Sequence, residues 1–281
     1  MKTLIACCGI DCENCDARIA TATGNEALRI ATARKWTAMN GIEIKPEYLH
    51  CMGCRTEGVK TYYCTDMCQI RACAAGRGYA TCGECAEVMT CPTVEPILKH
   101  QPDAIENLLS FGSKRLLLRP WHETDAEILY YYAKDEEVGP RAGWAPHQSV
   151  DESRDVINNV FHNATTWAIV LRETDKVVGA IGYGPSCDCD LPARPDEPTV
   201  GYWVGKEYWN QGICTEALAL LIDRVVNHTG IKSLVSGHYV DNPASGRVME
   251  KCGFVATGEC CTSPSLYGDS NRVIRVLRWE R

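Results

Sequence analysis

The distribution of cysteine divides this chain into two parts. Twelve of the 18 cysteines lie at or before Cys91, and the other six are spread over the rest of the 281 residues. The first part is about 13% cysteine, above the roughly 8–10% that is typical of a cysteine-built scaffold. The apolar start of the chain is shorter than the roughly 7–15 residues of a secretory signal, so we expect reduced thiols that bind metal. The pattern predicts a cysteine-rich metal module followed by an ordinary globular domain.

Length, composition and charge exclude several classes of protein. The 281 residues exceed one domain of about 100–200, and 45% hydrophobic with 23% charged residues excludes a disordered or fibrous chain. A net charge of −7 argues against a nucleic-acid partner, which needs a basic face. No apolar run reaches the roughly 18 residues of a membrane span. We therefore expect a cytoplasmic protein without a nucleic-acid or membrane partner, and both a monomer and a homodimer remain open.

The spacing of the cysteines indicates a zinc site. Two thiolates separated by two residues can converge on one ion, and two such pairs complete a tetrahedral site without an open position, which makes the zinc structural. By spacing, the best pairs are Cys51 with Cys54 and Cys82 with Cys85. A second site would combine the first cluster with a later cysteine, and the spacing leaves the partition open. The candidate ligands are Cys8, Cys12, Cys15, Cys51, Cys54, Cys68, Cys73, Cys82, Cys85 and Cys91.

Three other interpretations of this module stay open. The spacing of Cys8, Cys12 and Cys15 also matches the iron–sulfur motif of radical enzymes that use S-adenosylmethionine, but a βα barrel of about 200 residues should then follow. Another iron–sulfur cluster is a second interpretation, and buried thiols without metal are a third. Apolar residues at helical spacing predict one helix near 27–36 and another over 93–110.

The second part of the chain mixes strands and helices. Antiparallel strands come first and a strand–helix–strand crossover follows, which predicts an α+β domain with a mixed sheet. A polar loop at 185–198 carries Cys187 and Cys189, which we expect to be exposed thiols. In order, the predicted elements are a strand at 116–120, helices at 125–135 and 151–158, a hairpin of strands at 167–171 and 177–182, a strand at 199–204, a helix at 215–227, a strand at 233–240, a helix at 244–252, and strands near 255 and 273–277.

The turn at residues 209–217 has the composition of a phosphate-binding site. A strand, a glycine turn and a helix start place unpaired backbone N–H groups around one point, where the helix carries partial positive charge. This arrangement predicts a pyrophosphate cradle. The turn lacks the Lys-Ser/Thr of a P-loop and the spacing of a dinucleotide fingerprint, so nucleoside triphosphate and NAD are disfavoured. A purely structural turn explains the glycine equally well when the turn is taken alone.

Ordered motifs carry two family resemblances. Leu116–Pro120 with Asp125, Gly201-Tyr202-Trp203, the 211–217 turn and the Asn242 to Phe254 segment resemble the GNAT superfamily of acetyl-CoA-dependent acyltransferases, in the branch of ribosomal-protein N-acetyltransferases. This resemblance covers residues 114–281 and implies a mixed, mostly antiparallel sheet with splayed central strands flanked by helices. The cysteine motifs of residues 1–110 resemble the DUF3795 domain, which implies a small, mainly helical, zinc-finger-like module.

The GNAT resemblance implies roles for individual residues. The backbone of Trp203, Val204 and Gly205 is expected to pair with the pantetheine arm of acetyl-CoA. Asn242 is expected to position the cosubstrate near the thioester, and Ser245 to donate a proton to the departing thiolate. The pyrophosphate is expected to bind the backbone N–H groups of Gln211, Gly212, Ile213, Cys214 and Thr215.

Two departures from the family pattern affect the expected chemistry. Met249 stands where many relatives carry a tyrosine acid, and Thr199 stands where relatives often carry a glutamate base. Glu197 is expected to compensate as a base through water, and the loop with Trp144 and His147 to border the acceptor pocket.

The resemblance implies an N-acetyltransferase that passes acetyl to a primary amine, a protein N-terminus or a small molecule, by direct attack in a ternary complex. The alternative is a CoA-binding sensor or adaptor with degraded catalysis, whose cysteine-rich domain recruits a partner.

Overall fold

The computed structural model describes residues 4–85, 87–185, 191–194, 196–264 and 271–281. The chain divides into two compact units, Met1–Leu109 and Ser110–Arg281. Cys187 and Cys189 lie outside the described residues. No helix in the described ranges combines the length and the apolar character that crossing a membrane requires.

The first unit is helical, as predicted. The predicted helix near 27–36 extends further, because the Asn25 side chain caps its start by accepting from the backbone N–H of Leu28 at 3.0 Å. The helix predicted over 93–110 is two helices, since Gln101, before Pro102, is non-helical at φ −136° and ψ 76°, and Pro102 lacks the N–H that helix continuation needs. The helices are α1 (Asp16–Thr23), α2 (Glu26–Asn40), α3 (Gln69–Gly76), α4 (Glu95–His100) and α5 (Asp103–Leu109).

The apolar core of the first unit contains small side chains. One buried cluster joins Ala17 on α1, Ala33 on α2 and Leu49, with Trp36 and Ile44 packed at its edge. Larger apolar side chains are also buried in the described part of this unit, among them Ile70, Val88, Val94, Leu108 and Leu109.

The second unit is built on one mixed sheet of eight strands. The strands lie in the order β1-β2-β3-β4-β5-β6-β8-β7, and each neighbouring pair is antiparallel except β5 with β6. The prediction of an α+β domain with a mixed, mostly antiparallel sheet is confirmed. The strands are β1 (Phe111–Gly112), β2 (Leu116–Arg119), β3 (Thr166–Leu171), β4 (Lys176–Gly184), β5 (Thr199–Val204), β6 (Ser233–Tyr239), β7 (Val255–Pro264) and β8 (Asn271–Glu280).

Helices cover both faces of this sheet. Ile169 of β3 packs in the cluster that contains Leu218, whereas its neighbour Val170 packs in the cluster that contains Leu129, as alternation along a strand requires. The segment before Trp144 forms a short helix. The helices are α6 (Ala126–Ala133), α7 (Gly139–Ala142), α8 (Val150–Val156), α9 (Ile213–His228) and α10 (Pro243–Lys251).

The two central strands diverge along their length. β5 and β4 are paired at six positions, from Thr199 to Val204. β5 and β6 are paired only at Thr199 and Val235, near the start of each strand. The backbone edges of the two strands beyond that point are thus separated, which is the predicted splay.

Candidate active site

The turn before α9 has the backbone geometry of an anion site. Asn210 and Gly212 have left-handed φ values of +59° and +76°. The first helical bond runs from the Glu216 N–H to the Gly212 carbonyl at 3.0 Å, so the N–H groups of residues 213–215 precede the helix's own bonding. A Cβ placed on Gly212 meets no atom within 4 Å, so the space above the turn is open. This geometry suits an anion at the helix N-terminus.

Two side chains of the segment between β1 and β2 contact this turn and the first turn of α9. The Arg115 guanidinium donates to the Gln211 carbonyl at 3.0 Å and lies 3.6 Å from the Glu216 carboxylate. The Ser113 hydroxyl donates to the same carboxylate at 2.5 Å. The one acid in the first turn of α9 is therefore paired with groups beside the helix.

The backbone of β5 faces the splay at alternate residues. The Gly205 N–H donates to the Val178 carbonyl at 2.9 Å, so it faces β4, and two residues earlier Trp203 faces the same way. The Val200 carbonyl accepts from the Ser236 hydroxyl at 2.8 Å, on the β6 side. Tyr202 and Val204, in phase with Val200, therefore present their backbone to the splay. The backbone of Trp203 and Gly205 therefore faces β4, which does not suit the pantetheine contacts expected of these two residues.

Ser245 lies on α10 in contact with Tyr202. The Tyr202 hydroxyl donates to the Ser245 carbonyl at 2.8 Å and lies 3.1 Å from the Ser245 Oγ. Burial raises the pKa of the Tyr202 phenol above its ordinary value. Tyr202 belongs to the Gly201-Tyr202-Trp203 motif, but the sequence alone did not predict a role for it. Its alternation with Val200 and Val204, both in the core cluster under α9, was the available signal.

Asn242 follows β6 and contacts α7, the short helix before the loop that carries Trp144 and His147. Its backbone N–H donates to the Tyr239 carbonyl at 2.8 Å, and its side-chain amide donates to the Arg141 carbonyl at 3.2 Å. In the same loop, Trp144 packs edge-on to Trp203 at 5.8 Å between ring centroids. The His147 ring bonds the Ser153 hydroxyl at 2.8 Å, and burial lowers its pKa.

Glu197 does not have the environment of a general base. It is 1% exposed, and its carboxylate accepts from Arg278 Nε at 2.6 Å and from the Arg194 N–H at 3.2 Å. Burial opposes ionisation, but the bonds from Arg278 and Arg194 outweigh it and lower the pKa of Glu197. A carboxylate held in a buried ion pair accepts a proton poorly, so the expected role through water is corrected to a structural one.

Met249 is likewise structural. It is fully buried in the core cluster with Leu218 and Phe254, so this position on α10 contributes no acid to the splay.

Some thiols of the first unit have polar contacts. The sulfurs of Cys7 and Cys54 are 3.6 Å apart, and the Cys7 N–H donates to the Cys54 sulfur at 3.2 Å. The bond from the Cys7 thiol lowers the pKa of Cys54 to about 6, although burial opposes this change. The Cys51 and Cys68 sulfurs accept from the backbone N–H groups of Gly53 and Arg71 at 3.3 and 3.4 Å. Cys7 was absent from the predicted ligand set.

These thiols do not form a metal centre as they stand. Among the described residues, no three His, Cys, Asp or Glu side chains converge on a common ion position. Repulsion from Cys54, Cys15 and Cys51 adds to burial in raising the pKa of Cys12 to about 12. Burial does the same for Cys82, with repulsion from Cys8, Cys91, Cys73 and Cys85 added.

Two family models match the chain. The model described as an acetyltransferase (GNAT) domain matches residues 115–255, half of the chain. The model described as a protein of unknown function (DUF3795) matches residues 4–96.

Curated relatives cover the second unit. The ribosomal-protein-serine acetyltransferase of Escherichia coli K12 is 26% identical over 136 residues, which is 46% of this chain and 73% of that protein. The uncharacterized N-acetyltransferase p20 of Bacillus licheniformis is 25% identical over 151 residues, 52% of this chain and 82% of that protein.

Solved structures share the fold. A GNAT-family acetyltransferase from Bacillus anthracis has a TM-score of 0.51 at 18% identity, covering 61% of this chain and 98% of that one. The microcin C7 self-immunity acetyltransferase MccE, solved with acetyl-CoA and AMP, has a TM-score of 0.50 at 18% identity, covering 60% and 94%. The chain therefore belongs to the GNAT acetyltransferase family, is an acyltransferase enzyme, and carries a DUF3795 domain at residues 4–96.

Proposed function

We propose that this chain transfers acetyl from acetyl-CoA to a primary amine by direct attack in a ternary complex. One observation carries the proposal: the splay between β5 and β6 has the open turn at 210–215 in the connection that follows β5 and the Ser245 hydroxyl beside it. An extended pantetheine arm fits an unpaired strand edge, and a pyrophosphate fits the turn.

The contacts of acetyl-CoA follow from the backbone geometry. The pyrophosphate binds the N–H groups of residues 213–215, and Gly212 leaves room for its approach. The pantetheine amides pair with the edge of β5 at Tyr202 and at the Val204 N–H, since the Val204 carbonyl already accepts from Trp209 Nε1 at 3.0 Å. The acetyltransferase MccE, which shares this fold, was solved with acetyl-CoA, and this supports acetyl-CoA as the ligand proposed here.

The transfer proceeds by addition and elimination. A neutral amine attacks the thioester carbon, and a backbone N–H of β5 at the splay polarises the carbonyl oxygen as charge develops there. The C–S bond breaks with its electron pair on sulfur, and Ser245 Oγ gives its proton to the thiolate. The proton lost by the nitrogen passes through water to Ser245 Oγ, so the reaction releases amide and CoA thiol and leaves the serine as it began. Holding both substrates in this geometry supplies a large part of the rate acceleration.

Asn242 acts on the acceptor side in this proposal. Its bond to the Arg141 carbonyl holds the loop that carries Trp144 against the sheet, where it borders the amine. A protein α-amino group is the first acceptor to test, because the E. coli relative is named for acetylating a ribosomal-protein serine. Small-molecule amines form the second group.

The test is release of free CoA thiol from acetyl-CoA in the presence of an amine panel. The panel contains peptides with N-terminal serine, the same peptides with blocked N-termini, and small amines. Thiol release that depends on a free amine supports the proposal. Tight acetyl-CoA binding without turnover on any amine favours a CoA sensor or adaptor instead.

For the first unit we propose a structural zinc ion, bound by thiolates of residues 8–91. Support comes from the soft donor set and from backbone N–H groups that already point at the Cys51, Cys54 and Cys68 sulfurs, as in sites that stabilise thiolates. Metal binding has to draw these side chains together, which couples it to folding.

A further inference from the structure

The contact between Tyr202 and Ser245 joins two elements across the splay. Tyr202 lies on β5 and Ser245 on α10, 43 residues later. The single phenol proton has two acceptors within reach, the Ser245 carbonyl at 2.8 Å and the Ser245 Oγ at 3.1 Å. When it bonds the carbonyl, the serine hydroxyl donates back to the phenol oxygen. When it bonds Oγ, the serine proton is directed elsewhere.

The surroundings of Tyr202 keep it a donor. Its ring packs on the core cluster that contains Val200, Val204 and Leu218. Burial raises the pKa of the phenol, so the proton stays on the oxygen at neutral pH. A hydroxyl that accepts a hydrogen bond is itself a stronger donor, so a bond from Tyr202 to Oγ strengthens donation by Ser245.

We propose that Tyr202 is a positioning residue for acetyl transfer, which donates to Ser245 Oγ and thereby directs the serine proton to the leaving sulfur. The inference rests on the proposed function. It also accounts for the lack of a tyrosine at position 249 of α10, where Met249 is fully buried. The phenol near the leaving sulfur is then supplied by Tyr202 on β5.

The proton balance of the step is complete. As the C–S bond breaks, the electron pair goes to sulfur and the Ser245 proton follows it, which forms the CoA thiol. The phenol hydrogen bond stabilises the partial negative charge that develops on Oγ while its proton is transferred and replaced. The proton lost by the attacking nitrogen returns to Oγ through water, so serine and tyrosine end the cycle as they began it.

The test is a double-mutant cycle of Tyr202→Phe and Ser245→Ala, with kcat and the KM for acetyl-CoA measured for each. Tyr202→Phe removes one oxygen and keeps the ring. We expect kcat to fall about tenfold, less than the roughly 100-fold or more that proton transfer itself contributes, because Ser245 keeps its own proton; KM should stay within about twofold. In the Ser245→Ala background the same change has no further effect on kcat, because Tyr202 acts only through Ser245.

The matched control is Tyr183→Phe, on the neighbouring strand β4, where the ring packs against Trp167. It should leave kcat unchanged. An additive loss in the cycle, or a loss in KM alone, overturns the positioning role, since a structural effect persists without Ser245. An unchanged kcat in Tyr202→Phe also overturns it. Absence of wild-type turnover on every amine instead contradicts the proposed function, so the two failures are distinct.

Discussion

Gly212 leaves space for an anion at the turn before α9. Its φ of +76° lies in the left-handed region, where a β-branched residue is strained by about 1–2 kcal/mol. A Cβ placed on Gly212 meets no atom within 4 Å, so the added side chain occupies the space that we propose for the pyrophosphate. We expect Gly212→Val to lower acetyl-CoA affinity at least tenfold, about 1.4 kcal/mol, in isothermal titration calorimetry.

Gly258 provides the matched control for this change. Its φ is +83°, and a Cβ placed there also meets no atom within 4 Å. Gly258→Val therefore carries the same backbone strain, but it lies on β7, away from the turn. Both variants should lose similar thermal stability. Wild-type affinity in a folded Gly212→Val protein would show that the pyrophosphate binds elsewhere.

At the scale of elements, the ion pair of Glu197 with Arg278 connects the segment before β5 to β8. Both partners are largely buried, at 1% and 16% side-chain exposure, so removing one charge leaves the other desolvated. We expect Glu197→Gln to reduce the free energy of unfolding by about 3 kcal/mol at pH 7 in urea titrations. We expect kcat to stay within twofold, because the carboxylate is not the base.

The pH dependence of this effect has a definite sign. The pKa of Glu197 is lower in the folded chain, so its stabilisation is complete above the unfolded pKa of about 4.3 and is lost as pH falls through the folded pKa. The difference between wild type and Glu197→Gln should therefore shrink below about pH 4. Glu280→Gln is the control, since its pair with Arg194 is 58% exposed and is worth about 0.5 kcal/mol or less. A large loss of kcat in Glu197→Gln would restore the glutamate as a base.

Sequence patterns predicted the elements better than their mutual contacts. Strand β5 spans the predicted residues 199–204, and the turn before α9 follows from local glycine and helix-start signals. The phase of the β5 backbone depends on which neighbour each carbonyl meets, and short-range patterns do not contain this information. Tyr202 with Ser245 and Glu197 with Arg278 are 43 and 81 residues apart. Contacts at such separations are set by packing, so one sequence did not reveal them.

At the scale of the whole molecule, the start of the second unit is a testable boundary. Strand β1 pairs with β2, and Phe111 packs edge-on to Trp167 at 5.2 Å with Arg224 above its ring. A chain of residues 114–281 omits these contacts, whereas one of residues 110–281 keeps them. We expect the longer chain to have the higher melting temperature, because burial of these side chains adds about 2 kcal/mol to its free energy of unfolding. We also expect it to bind acetyl-CoA. Equal melting temperatures would show that β1 adds nothing to the unit.

The proposed zinc ion gives the first unit a different source of stability from the second. One of its core clusters is built around Ala17, Ala33 and Leu49, and small cysteine-rich domains commonly depend on metal. We expect elemental analysis of the full chain to find stoichiometric zinc. If zinc stabilises the first unit, this unit should unfold in its own transition, at a lower temperature than the second. A strong chelator should remove that low-temperature unfolding transition and leave acetyl-CoA affinity unchanged. Cys54→Ser should lower the zinc content, whereas Cys260→Ser, an exposed thiol on β7, should not. Stoichiometric iron with visible absorbance would mean an iron–sulfur cluster, and a metal-free protein with the same transition would mean that the thiols are simply packed.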